Sequence, residues 1–233
     1  LREMEFNRLL SQVISRYGET FEKKAENLKK TTIFDLKKYQ TILTIKQLEE
    51  WIKKIEERGI VAVDTETNSL NPHEANLVGI SLCSDPGIAC YIPLEHASEK
   101  VLEKEIVLKK LKNILQDKSI KKIGQNVKFD FIILLRHEIK LDPIEDTMLM
   151  SYALDAGRHR HNMDNLSETH LNHKPISFKE VTGAGKKQIS FDKVPIKLAT
   201  QYAAEDADVT FRLYALFRER LDKEKLTKIY ELF

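Results

Sequence analysis

Ile60, Val61, Ala62 and Val63 follow Gly59 and run without a break into Asp64-Thr65-Glu66-Thr67. A strand with one wet face alternates apolar and polar residues, whereas a strand apolar on both faces has to be covered on both. This stretch therefore predicts a central strand in a sheet with helices on each side. The surrounding pattern agrees. Tyr39 to Leu43 reads as a short strand. Thr44 and Gln47 then fit a capping box opening a helix lined by Ile45, Leu48, Trp51, Ile52 and Ile55, which Gly59 closes. Leu77 to Cys83 and Ile88 to Pro93 bracket Asp85-Pro86-Gly87 and read as a hairpin. A further strand is expected over 120–124. Helices are expected over 101–116 and 127–137, near 146–154 and 163–171, and over about 195–221, after a loop rich in Gly and Lys from 174 to 192. A meander of strands that then interleaves with helices gives an α/β fold with a mixed five-stranded sheet flanked by helices.

Composition narrows the function classes. The 233 residues carry 38 Lys plus Arg against 36 Asp plus Glu, a net charge of +2. This excludes a globally basic DNA-coating protein but not nucleic acid as such, because local patches and bound metal set the field at a site. With 42% hydrophobic and 32% charged residues the balance is that of a soluble globular protein. The longest apolar run, Phe131 to Leu135, is far short of the ~20 residues of a membrane span, and no signal-peptide pattern opens the chain. Cys83 and Cys90 cannot form a disulfide framework; they flank the Asp85-Pro86-Gly87 turn, where they could face each other across a hairpin, and composition favours two free thiols in a reducing compartment. Phe6, Leu9, Leu10, Val13, Ile14 and Tyr17 have the spacing of an amphipathic helix over 3–17, and the charged stretch 19–32 reads as a linker. The chain starts at Leu1 and reads as a piece of a longer polypeptide.

Three acidic stretches carry chemistry. Strand side chains alternate faces, so Asp64 and Glu66 point the same way, and two like charges at a strand end are made favourable most simply by a divalent cation. In Gly124-Gln125-Asn126-Val127-Lys128-Phe129-Asp130, a strand ends, Asn126 is placed to cap the next helix, and Asp130 falls in its first turn. Taken alone, that acid is explained by the helix dipole. In Tyr202-Ala203-Ala204-Glu205-Asp206, the i and i+4 positions share a helix face, which sets the Tyr202 hydroxyl beside the Asp206 carboxylate. Asp208 is expected to point away.

Together these stretches change the reading. The set resembles the four-acid, tyrosine-type exonucleases, and most of 39–222 is similar to the 3′–5′ proofreading exonuclease domain family of bacterial DNA polymerase I. The motifs that carry the resemblance are Val61-x-x-Asp64-Thr65-Glu66-Thr67, Asn76-Leu77-Val78-Gly79-x-Ser81, Pro86-Gly87-x-Ala89-x-Tyr91-Ile92-Pro93, Gly124-Gln125-Asn126-x-Lys128, Asp146-Thr147-Met148, Met163-Asp164-x-Leu166 and the run Tyr202 to Asp208. The resemblance implies a ribonuclease-H-like fold and three segments: 1–38, a helix and linker left from a preceding region; 39–222, the exonuclease domain; and 223–233, the lead into a polymerase domain.

The resemblance also implies a site. Asp64, Glu66, Asp130 and Asp206 would hold two divalent cations, Mg²⁺ or Mn²⁺, with Asp64 shared and Asp130 supporting the second ion. Tyr202 would orient the attacking water, since a phenol of ordinary pKa near 10 is a poor base at neutral pH. Leu70 and Phe178 would pack on the last bases, Thr67 would touch the terminal nucleotide, and Gln125, Asn126 and Phe129 would meet the strand. Phe129 stands where the family often has Tyr, so a hydroxyl is missing there. The partners implied are a single-stranded DNA 3′ end and a polymerase domain in cis, for a monomer in the cytoplasm at the nucleoid. Lys186, Lys187 and Arg158-His159-Arg160-His161 read equally as basic walls or solvated loops. His159, His161, His170 and His173 have no cysteine nearby and read as surface residues rather than a zinc site. Two other readings stand beside the first: an RNA 3′ exonuclease of the ribonuclease D kind, and an inactive module that only supports a polymerase.

Overall fold

A computed structural model gives the structure over residues 34–97 and 100–232. The helix expected over 3–17 and the linker over 19–32 lie outside the described residues. The sheet has six strands, β1 (Gln40–Thr41), β2 (Ile60–Thr67), β3 (Leu77–Asp85), β4 (Ile88–Pro93), β5 (Lys121–Gly124) and β6 (Ile144–Asp146). Their spatial order is β1-β4-β3-β2-β5-β6. β2 is antiparallel to β3 and parallel to β5, so the sheet is mixed, as the sequence predicts. The count is six rather than five because β6 lies where a helix start is expected. Three residues are too few to show a period, and β6 is defined by its parallel register with β5, Lys122 opposite Ile144 and Gly124 opposite Asp146.

The helices are α1 (Ile45–Arg58), α2 (Lys104–Gln116), α3 (Lys128–Arg136), α4 (Thr147–Asp155), α5 (Met163–Leu166), α6 (Phe178–Thr182), α7 (Ile196–Lys223) and α8 (Thr227–Tyr230). α1 obeys its sequence at both ends. The Gln47 amide donates to Thr44 Oγ1 (3.3 Å), the Thr44 amide donates to Gln47 Oε1 (3.1 Å), and Gly59 at φ +67° donates its N–H to the Ile55 carbonyl. The expected helix over 163–171 continues past α5 as a π-helical turn, Ser167–Leu171. The expected loop over 174–192 contains α6 and two short 3₁₀ turns.

Two cores sandwich the sheet. Leu48, Trp51 and Ile55 of α1 join Leu111, Ile114 and Leu115 of α2 and Ile133 and Leu134 of α3 against Val61, Val63, Leu82 and Cys90. On the other face, Ala199 and Ala203 of α7 pack with Val78, Tyr91 and Phe191. Each large aliphatic side chain buried this way contributes about 1.5–3 kcal/mol. The small Ala203, Ala204 and Ala207 are fully buried, and a helix surface of that kind lets α7 lie close to the strands. Register separates the two thiols: Cys83 faces Ala89 and Cys90 faces Leu82, so the two side chains leave opposite faces of the hairpin, and both are free.

The start of α3 corrects the expected cap. Val127 is the capping position, and Asn126 adopts a left-handed backbone at φ +58°. The acceptor comes from elsewhere in the chain: Asp146 takes the amides of Asn126 and Val127, each at 3.0 Å, and also caps its own helix through Met148 N at 2.8 Å. A cap separated by twenty residues is invisible to a local pattern. The C-terminal segment folds back on this corner, with the Asp146 amide donating to the Tyr230 hydroxyl (3.0 Å). Among the described residues no helix is long and apolar enough to cross a membrane.

Candidate active site

β2 positions the acids by its pleat. Val61 and Val63 face the core of α1, α2 and α3, which turns Ala62, Asp64 and Glu66 toward α7. From α7, Asp206 meets them, and one carboxylate oxygen each of Asp64, Glu66 and Asp206 lie within 4.8 Å of one another. The fourth acid arrives from the opposite side. Thr65 points away from its two neighbours and donates both its amide (2.9 Å) and its hydroxyl (2.6 Å) to Asp130 Oδ1. Asp130 is therefore not merely a helix-dipole acid. It is pinned at the end of β2 on the far side of Asp64, close enough for each charge to act on the other. Gly79 lies opposite Glu66 in the register, and a Cβ there would run into the Tyr91 ring.

Electrostatics set these four carboxyls apart from ordinary surface acids. Burial, and then the charge of Asp130, pushes the Asp64 carboxyl well above its ordinary range. Burial, and then Asp64, Asp206 and Asp130, does the same to Glu66. Burial and Asp64 lead the rise at Asp206, which the Tyr202 hydroxyl opposes by donating a hydrogen bond. Asp130 is pushed up to about 7 by burial, with the two Thr65 hydrogen bonds pulling the other way. The charges that raise these four groups all come from other carboxylates. An all-oxygen, multiply anionic donor set fits a hard divalent ion. Burial, Asp206 and Glu66 also drive the Tyr202 phenol far above its ordinary value, so it stays neutral and acts as a hydrogen-bonding group.

The acids lie in a cleft of about 780 Å³. All eleven residues singled out from the sequence line it: Asp64, Glu66, Thr67, Leu70, Gln125, Asn126, Phe129, Asp130, Phe178, Tyr202 and Asp206. Leu70 is 91% exposed and Phe178 38%, two apolar groups presented to the opening. Phe178 stacks on Phe191 (6.2 Å, 12°) and meets Tyr202 edge-on (6.1 Å, 66°), so an aromatic wall joins the opening to the acids. Gln125 is partly committed inside the protein, donating to the His161 carbonyl at 2.9 Å and accepting from Thr147. The sequence assigned no site role to Thr65, Met163 and Ile189, which also line the cleft. Thr65 was legible in principle, as the residue between two acids facing the other way; Ile189, in an irregular loop, carried no signal. Arg158 and His161 do not line the cleft: Arg158 pairs with Asp155 (3.0 Å) and His161 bonds Ser151 (2.7 Å).

Solved structures of other proteins share this fold. Brucella melitensis NrnC with bound Mg²⁺ aligns at a TM-score of 0.61 and 24% identity, over 83% of this chain and 85% of that one. Escherichia coli RNase D, an exoribonuclease, aligns at 0.61 and 19% identity, over 79% and 45%. Sequence comparison is more specific. Residues 39–222 match the 3′–5′ exonuclease family model of DNA polymerase A. The DNA polymerase I of Rhizobium leguminosarum is 42% identical over 221 residues, which is 86% of this chain and 22% of that protein. The DNA polymerase I of Pseudomonas aeruginosa is 38% identical over 228 residues, 95% and 24%. The chain belongs to this family and is a 3′–5′ exonuclease domain of the DNA polymerase I type; it spans less than a quarter of the length of those relatives.

Proposed function

We propose that the chain removes nucleoside monophosphates from single-stranded or frayed DNA 3′ ends, as the proofreading part of a longer polymerase. The observation that carries this is the convergence of Asp64, Glu66 and Asp206 within 4.8 Å, with Asp130 pinned beside them, at the base of a cleft whose opening presents Leu70 and Phe178. Asp64, Glu66 and Asp206 would hold one divalent ion, Mg²⁺ or Mn²⁺, and Asp130 with Asp64 would support a second. Such ions supply charge neutralisation for the attacking and leaving oxygens of an in-line phosphoryl displacement.

The chain's own residues do the rest. Tyr202, held neutral by burial and by the acids around it, donates to Asp206 and orients a water through its hydroxyl rather than taking its proton. Glu66 faces the same water from the strand. Leu70 and Phe178 pack on the unpaired terminal bases, which every base permits because each has an apolar face. Thr67, Gln125, Asn126 and Phe129 line the path of the strand. An unpaired end is required because an intact duplex would keep its terminal bases stacked and unavailable to Phe178.

DNA rather than RNA is favoured by the relatives at 42% and 38% identity, which are DNA polymerases. That coverage also supports a domain over 39–222, with 1–38 and 223–233 leading to other parts of a longer chain, a polymerase domain in cis among them. The working form is a monomer acting on DNA in the cytoplasm.

The test is release of mononucleotides from matched single-stranded DNA and RNA 3′ ends with Mg²⁺ or Mn²⁺, with chelator as control. DNA is expected to be shortened stepwise only with metal. Faster cutting of RNA overturns the proofreading reading, and no release from folded protein with either metal leaves the inactive-module reading standing.

A further inference from the structure

A second constellation lies away from the cleft, where α4 ends. The sequence reading takes His159 and His170 as surface residues, and the structure departs from it. Both are half-buried, and one ligand atom each of Asp155, His159 and His170 lie within 4.8 Å of one another. The three come from the last residue of α4, the following segment and the π-helical turn Ser167–Leu171, so no local spacing announces them.

The ring nitrogens are set up as ligands. His159 Nδ1 lies 2.9 Å from the Arg160 carbonyl. A carbonyl only accepts, so Nδ1 carries the hydrogen and Nε2 keeps its lone pair. His159 Nε2 is buried without a hydrogen-bond partner and lies 3.8 Å from Asp155 Oδ2. His170 Nε2 is also buried without a partner. Leaving one such atom unsatisfied costs about 1–3 kcal/mol, and here two share one small space. Packing fixes the rings: His170 meets His159 at 5.3 Å and Phe217 edge-on at 5.1 Å. His161 is not one of the three grouped residues; its Nδ1 bonds Ser151 and its ring lies on Tyr152 at 3.8 Å.

The charges around Asp155 decide which ion fits. Arg220 contacts both of its oxygens (Nη1 to Oδ2 2.7 Å, Nη2 to Oδ1 3.3 Å), and Arg158 contacts Oδ1 (3.0 Å). Two guanidiniums disfavour an ion held by charge alone, such as Mg²⁺. They matter less for an ion that gains its affinity from imidazole. We propose that Asp155, His159 and His170 form a transition-metal site, selective for Zn²⁺ or a similar imidazole-preferring ion over Mg²⁺, with water completing the coordination. Occupancy staples the end of α4 to the 156–162 segment and the turn at 167–171. His161, whose carbonyl accepts from Gln125 in the cleft wall, lies in that stapled segment.

The experiment titrates Zn²⁺ alone against a chromophoric chelator. It uses the full 233-residue chain carrying Asp206→Asn with Mg²⁺ in excess, so that the carboxylate cluster does not compete. One Zn²⁺ per chain is expected. His159→Gln and His170→Gln are each expected to weaken binding by at least about tenfold, the loss that even an outer partner of a metal causes, with unchanged circular dichroism. In nitrogen NMR of the rings, Zn²⁺ should move the Nε2 signals of His159 and His170. Should His170→Gln fail to fold, His159→Gln decides alone, because its ring does not pack on Phe217. The proposal is overturned if the folded parent takes up no Zn²⁺, if binding is unchanged in a folded His159→Gln protein, or if the ring signals that move belong to other histidines.

Discussion

Asp206 and Asp208 sit two residues apart on α7, both buried, and the protein surrounds their charges in opposite ways. Asp208 accepts from Arg212 through Nε (2.8 Å) and Nη2 (3.1 Å), from the Tyr39 hydroxyl (2.8 Å) and from the Gly87 amide (2.9 Å). Its carboxylate ties the first strand region and the hairpin turn to the helix. Asp206 faces Asp64 and Glu66 and accepts a hydrogen bond from Tyr202. The two positions are close to isochemical and nearly equally buried, 4% and 0% exposed. Burial of a carboxylate therefore does not identify a site. What distinguishes the site is that the charges acting on Asp206 come from other carboxylates, whereas Asp208 is paired with a guanidinium and belongs to the structure.

Substituting the two residues is the sharpest way to break that contrast. Asp206→Ala is expected to lower mononucleotide release by at least about 10³-fold, a loss of the order seen when one electrostatic stabiliser is removed. Single-strand binding should be largely kept, and thermal stability in chelator should rise because a repelled charge is gone. Asp208→Ala should do the reverse. It strands Arg212 and is expected to cost about 3–5 kcal/mol in urea unfolding, with turnover per folded molecule near that of the parent. Near-normal turnover in the first variant, or undiminished stability in the second, would show that the two faces had been assigned the wrong roles.

Proton linkage sharpens the same contrast. In chelator, the raised carboxyls of the site are protonated in the folded chain at pH values where the unfolded chain has lost those protons. Asp130 marks the window, between its ordinary 3.8 and about 7. Below it both states hold the proton, and inside it the unfolded state binds fewer, so stability falls as pH rises. Each group contributes up to about 1.4 kcal/mol for each pH unit of the window. Chemical unfolding from acid to neutral pH without metal should show this slope, and Mg²⁺ should flatten it. Asp130→Asn should remove part of it while keeping an acceptor for Thr65. A profile without slope, or one that rises, would contradict the uncompensated-acid reading.

How much of this was legible depended on range. The ends of α1 were written locally in Thr44, Gln47 and Gly59, and the facing of Asp64 and Glu66 followed from the strand period alone. The cleft was legible because its acids fall at regular positions in a strand and a helix, and because the ordered motifs resemble those of a family. What escaped was non-local. β6 exists only through its register with β5, and the cap on α3 comes from Asp146. Asp208 was expected only to point away, and its partners at 39 and 87 lie far off in the sequence. Asp155, His159 and His170 converge only after a π-helical turn has formed.

A smaller effect carries the contrast from charge to apolar surface. Phe178 and Phe191 stack on each other, yet Phe191 is 1% exposed and Phe178 38%. Phe191 has its partners within the fold, in the core with Tyr91 and Val194; Phe178 leaves one side open beside Tyr202 and near the exposed Leu70. Phe178→Ala should therefore weaken binding of a short single-stranded DNA by about 1–3 kcal/mol, the value of one base on an aromatic platform, with little change in unfolding free energy. Phe191→Ala should instead cost about 3–5 kcal/mol of stability. Fluorescence anisotropy and urea unfolding on the same two variants separate the cases. If Phe178→Ala unfolds the chain as readily as Phe191→Ala, the exposed ring is core that the cleft happens to reveal, and the substrate's bases must stack elsewhere.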